Sequence, residues 1–153
     1  MEARSLDQLY QEIIREHSKD PRNWGEWSHP NAQGKGYNPL CGDHIVLHIK
    51  ITPQKSAPTI QIRFKSEACS ICTASASMMT EAVEGQTPQG ALKTIQDFRN
   101  IMQGKEDSGP LLEGDIESLK GVRHFPVRIK CALLPWTTLK EALETLPQKG
   151  EAK

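Results

Sequence analysis

Four cysteines stand at positions 41, 69, 72 and 131, and three of them fall where one pattern of residues gives way to another. Cys41 leaves a loop just before a strand pattern, Cys69 leaves a strand pattern just before a helical one, and Cys131 lies near the start of the last helical segment. Asp43 follows Cys41 by two positions. In extended backbone residues i and i+2 point the same way, so its carboxylate can join Cys41 in one coordination shell. Cys41, Asp43, Cys69 and Cys131 together offer three thiolates and a carboxylate. That set suits zinc or an iron-sulfur cluster, because thiolates favour soft or borderline metals over calcium and magnesium. Spacing alone does not choose between the two, and a lone cysteine is about as often a small buried hydrophobe as a ligand.

Cys69-Ser70-Ile71-Cys72 also has CxxC spacing at a helix N-terminus, where the helix dipole lowers a thiol pKa below its free value of roughly 8.5. A thiol oxidoreductase would use such a pair. Against it, the cysteines follow a hairpin pattern rather than a βαβ unit, and Ser-Ile lacks a turn-forming Gly or Pro. His44 and His48 share the polar face of one strand and read as solvent-facing imidazoles. His124, closer to Cys131, is an accessory candidate around the metal site.

The elements that must position these residues follow from periodicity. Leu6, Leu9, Tyr10, Ile13 and Ile14 recur at helical spacing behind a Ser5/Gln8 capping box, which predicts a helix from about Leu6 to about His17. The stretch Arg22 to Pro39, rich in Gly, Pro and Asn, reads as an extended loop delivering Cys41. From His44 the period is two, with Ile45, Leu47, Ile49 and Ile51 on one face; Ile60, Ile62 and Phe64 repeat the pattern after a proline-bounded turn, which predicts an antiparallel hairpin. A helix of small residues follows Cys72 to Gly85. Thr87 and Pro88 open another, which Gly104 ends. Lys105 to Glu113 reads as a polar loop, Ile116 to Lys120 as a short helical turn, and Lys149 to Lys153 as a frayed tail. The last helix starts at Pro126, with a kink or fresh start expected at Pro135.

The 153 residues fit a single domain, 1–153, able to bury its own core. Nineteen basic and nineteen acidic residues cancel, which argues against nucleic acid or an anionic membrane surface as partner. No apolar run approaches the roughly 20 residues that span a bilayer. The N-terminus lacks the basic start and apolar centre of a signal peptide, so the expected compartment is cytoplasmic, where four cysteines stay reduced.

Three motifs, YNPLCGD, ACSICTASASMMTEAVEG and FPVRIKCALLPW, occur in an order that resembles the IscU/SufU family of NifU N-terminal-like assembly proteins, over about Leu6 to Leu143. The resemblance implies an α+β fold: a small three-stranded antiparallel sheet with helices packed around it and a metal site at one end. It implies Cys41, Asp43, Cys69 and Cys131 as ligands, holding zinc or, alternatively, iron or a [2Fe-2S] cluster. Lys130 stands where the scaffold branch typically has His, and Cys69 and Cys131 are 62 positions apart; both features are similar to the SufU-like branch. That branch implies a zinc-binding sulfur acceptor, with Cys41 taking persulfide sulfur from a PLP-dependent, SufS-like cysteine desulfurase and passing it on. A scaffold that builds a [2Fe-2S] cluster and transfers it to downstream acceptor apoproteins is the alternative. Two residues depart from the family pattern. Ala68 replaces a usual Gly, and Cys72 stands where cysteine is unusual; Cys72 reads first as an inert packed thiol, then as an alternative ligand or a resolving thiol.

Overall fold

The computed structural model describes residues 5–105 and 114–146. The anticipated polar loop, apart from Lys105, and the anticipated frayed tail lie outside the described residues. In chain order the elements are α1 (Leu6–Lys19), β1 (Ala32–Asn38), β2 (Asp43–Thr52), β3 (Thr59–Glu67), α2 (Ser70–Val83), α3 (Pro88–Met102), a 3-10 helix (Gly114–His124) and α4 (Pro126–Glu144). The strands make one antiparallel sheet in the order β1-β2-β3, and α2 and α4 lie against it. This is the expected α+β arrangement.

The third strand, β1, falls inside the stretch read from sequence as a loop. Gly34 and Gly36 depress strand propensity and erase the period-two signal there. Packing explains why they are glycine. A Cβ at Gly36 would overlap Thr138 Oγ1 and stand 3.1 Å from both Ile45 Cγ2 and Leu134 Cδ1; one at Gly34 would stand 3.1 Å from Ala142 Cβ and from the Thr138 carbonyl oxygen. Leu134, Thr138 and Ala142 recur every four residues on one face of α4, so the helix rests directly on the strand backbone.

The hairpin is as anticipated. Leu47 pairs with Phe64 and Ile49 with Ile62, and all four are buried against α2, α3 and α4 in one apolar core. Phe98 of α3 stacks on Trp136 of α4 with ring centroids 4.1 Å apart. Residues Cys72 to Thr80 of α2 are all buried; the small side chains from Cys72 to Ser77 let neighbouring elements close in.

The opposite face of the sheet differs from expectation. His44 is exposed, but His48 is buried, because the segment between α1 and β1 passes over it. Gly25 N–H donates to the Phe64 carbonyl of β3 and Asn31 N–H to the Ile49 carbonyl of β2, while midway Trp27 N–H donates to His48 Nδ1 at 2.9 Å. The Trp27 ring lies 4.6 Å from the Arg63 guanidinium, a cation–π contact that helps hold the crossing. The start of this segment is tied to α2. His17, fully buried, bonds Ser77 Oγ at 2.7 Å and Asp115 at 2.8 Å, and Arg22 N–H donates to the same Ser77 oxygen.

The helix starts follow the local signals: the Ser5/Gln8 capping box is formed, and Thr87 caps α3 with Pro88 in its first turn. There is no fresh start at Pro135: α4 runs as one helix through it. Proline in a helix interior costs about 3 kcal/mol, and here tertiary contacts offset it. Pro135 is buried, the Ser75 hydroxyl donates to the Ala132 carbonyl at 2.7 Å, and the Trp136 indole N–H donates to Ser75 Oγ at 2.9 Å. No helix among the described residues is long and apolar enough to cross a membrane.

Replacing Gly36 by Ala is expected to lower stability by about 1–3 kcal/mol, the usual cost of overpacking, measured by urea unfolding. Combining it with Thr138→Ala should recover part of the loss. Strictly additive costs would show that the overlap is not the cause.

Candidate metal centre

Three pieces of chain meet at one end of the helix-facing side of the sheet. The turn over residues 39–42 joins β1 to β2, and Gly42 takes a left-handed φ of 71° within it. Asn38 and Asp43 are register partners on either side of the turn, so both side chains stand at the sheet's end, and Asn38 Oδ1 accepts the Leu40 N–H at 3.2 Å, shaping the approach to Cys41. Cys69 is the N-cap of α2. Cys131 sits on the second turn of α4, seated there by the contact of that helix with β1.

Cys41, Asp43 and Cys131 each offer a ligand atom within 4.8 Å of the others, and the sulfurs of Cys41 and Cys131 are 3.0 Å apart. Asp43 and Cys131 are fully buried, whereas Cys41 is half-buried at the mouth. Cys69 flanks this trio. Its backbone N–H donates to Asp43 Oδ1 at 2.8 Å and its thiol receives the Cys72 N–H at 3.5 Å. Of the four residues singled out from sequence, three therefore converge closely and the fourth is bonded to one of them.

Two residues absent from the sequence reading complete the cluster. Asn38 Nδ2 donates to Asp43 Oδ2 at 3.3 Å and to Cys131 Sγ at 3.6 Å. Arg128 brings Nη1 to 3.9 Å from Cys41 Sγ. Arg128 lies three residues before Cys131, a same-face helical spacing that was available as a signal; nothing in the local sequence marks Asn38 beyond its place in YNPLCGD. Lys130 and His124 are both exposed, and the structure does not bring them into hydrogen bonds with the cluster.

The electrostatics follow from crowding acids together. Burial first, then hydrogen bonds with Cys41 and Asp43 and the charge on Cys69, push the Cys131 thiol well up. The Arg128 pKa is raised in turn, chiefly by hydrogen bonding to Cys131 and then by the charge on Cys69. Buried Cys72 is pushed up by desolvation and then by Asp43, Cys69 and Cys41, so it stands behind the cluster as a packed, protonated thiol. A soft cation between the sulfurs would deprotonate them outright and relieve the repulsion. The donor set, thiols with one carboxylate, fits zinc and equally fits the irons of a [2Fe-2S] cluster.

Because a raised pKa keeps a thiol protonated and unreactive at lower pH, Cys72 is expected to resist iodoacetamide at pH 8 in folded, metal-free protein while Cys41 reacts. Peptide mass spectrometry after labelling reads this directly, and modification of Cys72 at the rate of Cys41 would contradict it.

Comparison with known proteins gives consistent results. The family model described as the NifU-like N terminal domain matches residues 9–152. The chain is 42% identical over 139 residues to the zinc-dependent sulfurtransferase SufU of Bacillus subtilis, covering 91% of this chain and 92% of that protein. It is 39% identical over 144 residues to the iron-sulfur cluster assembly scaffold protein IscU of Streptococcus pyogenes, covering 94% and 88% respectively. Among solved structures, the putative SUF-system scaffold protein of Fervidobacterium islandicum superposes with a TM-score of 0.78 at 33% identity, covering 89% of this chain and 97% of that one.

Proposed function

As the chain belongs to the NifU-like N-terminal domain family, we propose that it serves iron-sulfur cluster assembly as a zinc-binding sulfur acceptor working with a cysteine desulfurase. One observation carries this reading: Cys41 is the thiol at the mouth of a cluster whose other members, Asp43 and Cys131, are buried. Cys41, Asp43, Cys69 and Cys131 would hold the metal. When bound, zinc supplies Lewis acidity without redox activity and keeps thiolates deprotonated near neutral pH.

The residues then have distinct tasks. The partner is a PLP-dependent, SufS-like desulfurase that carries its sulfur as a cysteine persulfide. The Cys41 thiolate attacks the terminal sulfur, the partner's cysteine leaves as thiolate, and the new S–S bond leaves a persulfide on Cys41. Arg128, within reach of Cys41 Sγ, offers positive charge to the free thiolate and then to the persulfide anion. Exposed Leu40, Phe125 and Val127 flank Cys41 and Arg128 in sequence and supply apolar surface for docking. A downstream assembly protein or acceptor apoprotein then takes the sulfur. The reaction would run in the cytoplasm, whose reducing conditions keep the thiols free.

A cluster scaffold is the second reading, favoured by the donor set, which suits iron as well as zinc, and by the scaffold name of the Streptococcus pyogenes relative. Metal and acid-labile sulfide content of protein purified without oxygen separates the two. About one zinc per chain without sulfide is expected from a single four-donor site; iron with matching sulfide would make the protein a scaffold. Under the first reading Cys41→Ala should abolish stimulation of the desulfurase, and retained stimulation would remove Cys41 as acceptor.

A further inference from the structure

The cluster treats its members unequally. Asp43 is held at both oxygens, by Cys69 N–H on Oδ1 and by Asn38 on Oδ2. Cys131 is buried and receives the same Asn38 amide. Among the described residues, Cys41 Sγ is hydrogen-bonded by the exposed Arg128 and by the Cys131 thiol. Asn38 is the hinge of this asymmetry. It is 6% exposed, and its Oδ1 is committed to the Leu40 N–H, which turns the two N–H bonds of its amide toward Asp43 and Cys131 and fixes which way round the group lies. Partners around a metal's ligands set ligand orientation and basicity, and their loss commonly costs about 10–100-fold in metal affinity.

Resting on the zinc reading above, we propose that Asn38 is the positioning residue that makes Cys41 the ligand to leave. By donating to Asp43 and Cys131 at once, it binds those two to the sheet end as one rigid pair. The same side chain, through the Leu40 N–H, holds the base of the turn from which Cys41 departs. Release of the metal's grip then falls on Cys41, whose sulfur lies outside the pair that the Asn38 amide holds. A neutral amide suits this role: it stabilises a thiolate and a carboxylate together without adding a charge that would compete with the metal.

The test uses the full-length zinc-loaded protein and two readouts: the rate at which a chromogenic chelator takes the zinc, and the order in which the cysteines accept iodoacetamide. In the unaltered protein Cys41 is expected to label first and Cys131 last. Asn38→Ala should release zinc about tenfold faster or more and label Cys131 together with Cys41. Asn38→Ser keeps an oxygen able to accept the Leu40 N–H but is too short to reach Asp43 and Cys131, so it should behave like Asn38→Ala. Slow, unaltered release from Asn38→Ser would mean that residue 38 acts through the turn alone, and unaltered release from both variants would remove its role; either result overturns the proposal. In the unaltered protein, labelling of Cys131 as fast as Cys41 overturns the proposal before any variant is made. Unaltered protein that binds no zinc would refute the zinc reading, an outcome read from metal content before any labelling.

Discussion

The rest of the molecule depends on how closely α4 lies on β1. Two glycines in a strand weaken it by roughly 0.5–1 kcal/mol each relative to alanine. Here their missing side chains let Leu134, Thr138 and Ala142 settle onto the strand backbone. That seat places the buried stripe of α4, including Trp136, Leu139 and Leu143, against the hairpin and α3. It also fixes the second turn of the helix, and with it Cys131, above the end of the sheet where the β1–β2 turn emerges. A helix held a side chain further out would leave Cys131 out of reach of Asp43.

A second constraint is electrostatic. Three thiols and a carboxylate crowded at the sheet end repel one another when charged, and the cation that reaches them, Arg128, is exposed to solvent. The polypeptide therefore holds the cluster together largely through neutral donors, the Asn38 amide and the Cys69 backbone N–H. Between them they satisfy both carboxylate oxygens of Asp43.

Much of this was legible in the chain because it rests on local rules. The Ser5/Gln8 box, the Thr87-Pro88 start and the alternation from Ile45 to Phe64 each carry their signal within a few residues. The convergence of Cys41, Asp43 and Cys131 also followed from where elements begin and end. What escaped depends on distant partners. β1 looks like a loop until Thr138 is known to lie on it, His48 looks exposed until Trp27 is known to cross it, and Pro135 looks like a break until Ser75 and the surrounding core are counted. Asn38 escaped for the same reason, since its meaning lies in Cys131, 93 positions away.

That separation has a bearing on how the protein comes into being. Cys41 and Cys131 stand 90 positions apart, and Cys131 reaches the cluster only after the hairpin, α2 and α4 have docked on one another. During synthesis the first two members of the cluster, Cys41 and Asp43, leave the ribosome long before the last. A metal meeting a half-made chain would find Cys41, Asp43 and Cys69 without Cys131, and would bind more weakly. The complete donor set thus exists only in a finished fold, so any metal it held would report that folding was complete.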